Sequence, residues 1–190
     1  LGRLISVGAL DLVWHRILLA ILFLWAYQQL SKNRIQGIPS RKLGLMLGLN
    51  GLILMVHWVT FYAAIKLSNV SLTLACLSTG PLFAAFLEPI FFKRRLQWSE
   101  VGLGFGVVVG LLMVVGSTQG QGLAIAVGLI SSVLSALFSV LNGRIVHQMD
   151  STSISFYELL AGFGGLSLYL LLSANIAETA SAPTTSDWIY

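Results

Sequence analysis

Long apolar runs separated by short polar connectors set the pattern of this chain. Six runs, lettered A to F, cover 10–30, 43–65, 70–92, 98–115, 122–146 and 154–174. A helix needs about 20 apolar residues to cross a bilayer core. Run C meets this with 23 residues and a single charge, Glu88. Run D is close to the minimum length and carries Gly102, Gly106 and Gly110 at four-residue steps. Such a ridge predicts close backbone approach between helices, because lipid supplies no hydrophobic force to press them together. The basic turn Lys93-Arg94-Arg95 joins C and D into a helical hairpin. The expected fold is an all-α polytopic membrane protein with six transmembrane helices.

Composition supports the same class. The chain of 190 residues is 56% hydrophobic and only 9% charged, whereas a soluble domain is about a quarter charged. A net charge of +4 then matters through the loops that carry it, and no nucleic-acid partner is expected. The one cysteine, Cys76, lies inside run C. It offers no disulfide or thiolate metal site within the chain and reads as a small buried apolar residue. Leu1 opens the chain without a charged leader, and Asp187-Trp188-Ile189-Tyr190 closes it like the start of another span. The expectation is a fragment of a longer polytopic protein.

Orientation follows from the connectors. Lys32, Arg34, Arg41, Lys42, Lys93, Arg94, Arg95 and Arg144 lie on one face; Arg3 and Lys66 lie on the other. Cations concentrate in cytoplasmic loops, so loops 31–42, 93–97 and 144–152 are expected inside.

Small residues recur in other runs: Gly44 and Gly48 in B, Ser131, Ser135, Ser139 and Gly143 in E, Ala161 and Gly165 in F. Tight helix contacts are the favoured reading, backbone beside a pore the other. Pro81 and Pro89 each remove a backbone donor from run C. Pro81 follows Ser78-Thr79-Gly80 near mid-span. It is read either as a bend facing a cavity or as a kink that only shapes the bundle.

Ionisable groups inside spans are costly and mark functional paths by default. His15 and Arg16 lie in A, His57 in B, Glu88 in C and Glu158 in F. Arg16, roughly 8 Å from the outer end at 1.5 Å per residue, either snorkels outward or serves as an anion contact or carboxylate partner. Glu88 is one turn from Lys93 and Arg94 and is expected to pair at its own cytoplasmic edge. Asn50, Leu54, His57 and Phe61 share one helical face, with Trp58 and Tyr62 beside them. An imidazole in aromatic surroundings suits binding of a small organic solute, or proton coupling. A histidine satisfied by a neighbouring hydroxyl is the alternative. Haem ligation by His15 and His57 is disfavoured, since the two lie at different depths. The candidate substrate contacts are Trp14, Arg16, Asn50, His57, Trp58, Tyr62, Thr79, Tyr157 and Glu158. No catalytic residue, cofactor or metal is expected.

Residues 13–20 and 155–162 follow a shared order of aromatic, polar aromatic, charge, aliphatics and small residues. A runs outside to inside and F the reverse, as an inverted-topology repeat requires.

The chain resembles the drug/metabolite transporter superfamily, in particular its EamA-like members. The residues that carry the resemblance are Trp14-His15-Arg16, Phe61-Tyr62-Ala63-Ala64-Ile65-Lys66, Leu77-Ser78-Thr79-Gly80-Pro81-Leu82-Phe83 and Leu87-Glu88-Pro89-Ile90-Phe91-Phe92-Lys93-Arg94-Arg95-Leu96. The glycine-rich 102–116, 134–144 and Tyr157-Glu158-Leu159-Leu160-Ala161-Gly162 complete it. The resemblance implies ten helices in two inverted five-helix repeats around a central cavity, with both termini cytoplasmic. Runs A to F then match helices two to seven. Residues 1–117 hold most of the first repeat, and 118–190 begin the second.

The implied function is secondary transport by alternating access. The resemblance implies movement of small metabolites, amino acids or drugs across a bacterial inner membrane, often outward. The expected partners are a small-molecule substrate and the lipid bilayer; protons as coupling ion and a homodimer stay open. Two alternatives come from other classes. One is a non-transporting membrane bundle or assembly partner. The other is a membrane-embedded enzyme, disfavoured because Ser78 has no evident base and the histidines are scattered.

Overall fold

The computed structural model describes residues 8–31, 35–116 and 120–173. Among these there are seven helices and no strand: α1 (Ala9–Leu30), α2 (Arg41–Leu67), α3 (Val70–Leu77), α4 (Gly80–Phe92), α5 (Trp98–Gly116), α6 (Gly122–Ile145) and α7 (Ser151–Leu172). Five spans are long and apolar enough to cross a membrane, with α3 and α4 acting together as the span Val70–Phe92. Trp98–Met113 is a shorter apolar helix, in line with run D being the shortest. Arg3, Lys32, Arg34, the end of run F at Ala174 and the tail with Glu178 and Asp187 lie outside the described residues.

Polar caps place the helix starts. The side chain of Ser40 accepts from Leu43 N at 3.2 Å, and that of Asn69 from Leu72 N at 2.9 Å. Asp150 accepts from Thr152 N and Ser153 N at 3.1 and 3.0 Å, so α7 begins three residues before run F. Burial pushes the Asp150 carboxyl up, but the bonds from Ser153 and Thr152 outweigh it and hold the group below the ordinary aspartate range. Its capping contribution is thus present above that range and is lost only in stronger acid.

Helix α2 is central. It packs on α6 and α7; α1 lies against α7 and α2; α6 also packs on α3 and α4; and α5 sits at the edge against α4 and α3. The exterior is apolar, with Phe23, Ile90 and Leu103 each more than 70% exposed, while Asn50, Glu158, Ser131, Ser132 and Thr79 are buried. Lipid in place of water explains that inversion, since buried polar groups find partners only inside the bundle.

Two expectations about packing are corrected. Gly102, Gly106 and Gly110 do not form the contact ridge of α5: a Cβ on any of them would meet nothing within 4 Å. The inward residue is Gly104, where a Cβ would come within 2.8 Å of Leu82. Positions two residues away lie about 200° round the helix, which turns the four-step series away from α4. The close crossing is instead Gly51 on α2 against α7. A Cβ there would overlap the Glu158 carbonyl, and one on Gly162 would meet the Gly51 carbonyl at 2.8 Å.

Run C is likewise not one kinked helix. It breaks at Ser78-Thr79, and Pro81 occupies the first turn of α4, where a missing N–H costs least. Pro81 itself is exposed. It leaves the Leu77 carbonyl without its helical donor, and Ser132 of α6 supplies one at 3.2 Å. Thr79 donates to the Cys76 carbonyl at 2.6 Å and meets Ser132 Oγ at 3.0 Å. Ser132→Ala is therefore expected to lower stability by about 1 kcal/mol, read as a lower thermal midpoint in detergent. Ser139→Ala, on the exposed side of α6, should leave the midpoint unchanged.

Candidate functional site

The nine candidate residues fall into four groups and not one cavity. Each group places polar side chains between helices.

The deepest group joins α2, α6 and α7. Glu158 is 2% and Asn50 1% exposed. Asn50 Nδ2 donates to Glu158 Oε1 at 2.6 Å, and Asn142 Nδ2 donates to Oε2 at 3.3 Å. The glycine crossing at Gly51 brings the two backbones close enough for this bond. Asn50 Oδ1 is buried without a partner. Asn50 also borders a cavity of about 20 Å³ shared with Met46, Leu49, Leu141 and Ile145. Tyr157, next to Glu158, turns away and donates to the Gln36 carbonyl at 3.1 Å.

About two helical turns further along α2, roughly 10 Å at 1.5 Å per residue, His57 is held between α2 and α6. Its Nδ1 lies 2.8 Å from the Ser131 carbonyl, and Ser131 Oγ donates to the His57 carbonyl at 3.1 Å. A carbonyl partner assigns the hydrogen to Nδ1. Each residue thus caps the other's backbone, so Nδ1 of the imidazole is satisfied by Ser131 and the Asn50–His57 face lies against helices. Thr79 belongs to the separate junction with Ser132 described above.

The fourth group lies on α1 and α2 near the far end. Arg16 is exposed; its Nη1 donates to Tyr62 Oη at 2.6 Å, and its guanidinium carbon sits 5.1 Å from the Tyr62 ring centre. Arg16 therefore meets a phenol and not a carboxylate. Trp14 donates to Ser167 Oγ at 2.9 Å and packs against Phe163, with ring centres 5.1 Å apart. Trp14, Trp58 and Tyr62 border the apolar cluster of Val13, Ile17, Leu159 and Leu166. Beyond them opens a cleft of about 440 Å³, lined by Gly8 and the first residues of α1 to Asp11, Val59 and Ala63 of α2, and Tyr169 and Leu170 of α7.

The opposite end is tied shut. Leu43, Leu47, Ile145, Met149 and Ile154 form a buried cluster. Gln36, in the loop before α2, makes three bonds across it. Its N–H donates to Ser153 Oγ at 2.9 Å, its side-chain oxygen accepts from Asp150 N at 3.2 Å, and its carbonyl accepts from Tyr157. Glu88 pairs with Arg94 at its own end of the span, and Arg94 also binds Glu100 at 2.8 Å, pinning α4 to α5.

Asn142, Ser132 and Gln36 were absent from the sequence candidates. Asn142 carried a usable signal, a lone amide in an apolar helix at the depth of Glu158. Ser132 and Gln36 carried none, because each makes at least one of its bonds through a backbone group, of its own or of its partner, that no residue pattern marks.

No curated protein and no solved structure matches the chain. The model of the EamA-like transporter family matches residues 2–116, more than half of the 190 residues. With multiple apolar spans and that match, the chain belongs to the EamA-like transporter family of the drug/metabolite transporter superfamily, a family of membrane transporters.

Proposed function

We propose that the protein is a secondary transporter that moves small organic solutes, such as metabolites, amino acids or drugs, outward across a bacterial inner membrane by alternating access. The observation that carries this reading is the asymmetry of the bundle. One end opens into the cleft between α1, α2 and α7, while the other is tied by Gln36 and sealed by the Leu43–Ile154 cluster. With loops 31–42, 93–97 and 144–152 cytoplasmic, the tied end faces the cytoplasm and the cleft faces outward. Trp14, Trp58 and Tyr62 pack on the apolar cluster beside the cleft, and Arg16 offers a cation to an anionic group of the solute. Residues 118–190 begin the second inverted repeat in this reading.

Counterflow in proteoliposomes tests it, with labelled amino acids and small metabolites as the panel. Exchange of at least one solute is expected. Arg16→Ala should cut exchange of an anionic or zwitterionic solute about tenfold, the value of one charge-assisted hydrogen bond. Its thermal midpoint should stay at the wild-type value, because the side chain is exposed. Folded protein that exchanges nothing would favour the non-transporting bundle instead.

A further inference from the structure

A carboxylate buried at 2% exposure inside a membrane bundle needs a positive partner or a proton. Among the described residues, no cation pairs with Glu158. Its two bonds come from neutral amides, Asn50 and Asn142. The titratable groups on the surrounding helices are engaged elsewhere. His57 of α2 bonds to Ser131, and Tyr157 of α7 to Gln36. On α1, His15 bonds to the Asp11 carbonyl and Arg16 to Tyr62, while Asp11 lines the outer cleft. Arg144 of α6 and Arg41 and Lys42 of α2 are exposed at helix ends.

The second observation is on Asn50. Its Nδ2 lies 2.6 Å from Glu158 Oε1. Asn50 Oδ1 is buried and unpartnered. The oxygen and nitrogen of a side-chain amide exchange places on a half-turn. In one orientation, Asn50 Nδ2 donates to an ionised Glu158. In the other, a protonated Glu158 donates its O–H to Asn50 Oδ1, and the orphan acceptor is filled. One amide thus serves both protonation states without moving a helix.

We infer that Glu158, with Asn50 as a two-way partner and Asn142 on its second oxygen, is a proton-binding site between α2, α6 and α7. The neighbouring cavity of about 20 Å³ is lined by Asn50 and the apolar Met46, Leu49, Leu141 and Ile145. It lies toward the tied end, so the proton exchanges on that side when the Gln36 tie opens. In transport, the ligand is the coupling proton. That last role rests on the transporter reading, whereas proton binding itself does not. Glu158 lies outside the residues matched by the family model.

Infrared spectroscopy of the chain in lipid at neutral pH separates the two claims. A protonated carboxylic acid band is expected that shifts in deuterated buffer, disappears in Glu158→Gln and moves in Asn50→Leu. Glu158→Gln keeps an acceptor and an N–H donor for Asn50 and should fold; a wild-type elution profile checks this. Absence of the band in folded wild-type protein would overturn the site. In counterflow, Glu158→Gln should lose the response to an imposed pH gradient that wild-type protein shows. A gradient response that survives in Glu158→Gln would overturn the coupling role. The band without any solute exchange by wild-type protein would uphold the proton site and overturn the transporter reading.

Discussion

Gly51→Ala is expected to destabilise the bundle by about 3 kcal/mol or more, among the largest effects of a single methyl group. The added Cβ would overlap the Glu158 carbonyl and touch Ala161 Cβ at 3.0 Å. Neither partner is the tip of a flexible side chain, so α2 and α7 must separate. Separation also breaks the Asn50–Glu158 bond one residue away, leaving a buried carboxyl and amide short of partners. Gly48→Ala, on the same helix, is the control: nothing lies within 4 Å of its Cβ position. Replacing glycine in an open helix position gains roughly 0.5–1 kcal/mol. Thermal midpoints followed by size-exclusion chromatography in detergent compare the two. Equal midpoints would mean that the helices do not cross at Gly51.

A disulfide between Gln36→Cys and Ser153→Cys is expected to reduce transport to background, with recovery on reduction. Gln36 already bonds to Ser153, Asp150 and Tyr157, so a crosslink there holds the tied end in the arrangement it now has. A transporter confined to one of its two states completes no cycle, however well it binds solute. Cys76 has no exposed surface, so the introduced pair reacts alone. Each single variant under the same oxidant should keep its activity. Full exchange by the crosslinked protein would show that this end does not open in the cycle. The solute would then have to pass elsewhere.

Residue by residue, the polar candidates differ in how well the sequence located them. Glu158 and Asn50 stood out because an amide and a carboxyl in apolar runs are costly unless they meet. They do meet, although nothing in their spacing named the pair. His57 stood out for the same reason, yet its partner is the Ser131 backbone as well as the hydroxyl. Arg16 was expected to snorkel outward, to contact an anion or to pair with a carboxylate; it is exposed, and its partner within the bundle is the Tyr62 phenol.

Chain chemistry alone determined the class of protein: the number and order of apolar runs, their helical nature and the basic turn at Lys93–Arg95. The bilayer imposes a length and a polarity on every crossing helix, and those constraints act segment by segment. The rotation of each helix about its own axis was left to tertiary structure. Glycine series show why: Gly102, Gly106 and Gly110 satisfy the four-residue rule as well as any contact ridge, but only packing against α4 selects Gly104. In water, a hydrophobic stripe would have announced the inward face. In a lipid-facing bundle both faces are apolar, so close packing and a few buried hydrogen bonds decide it.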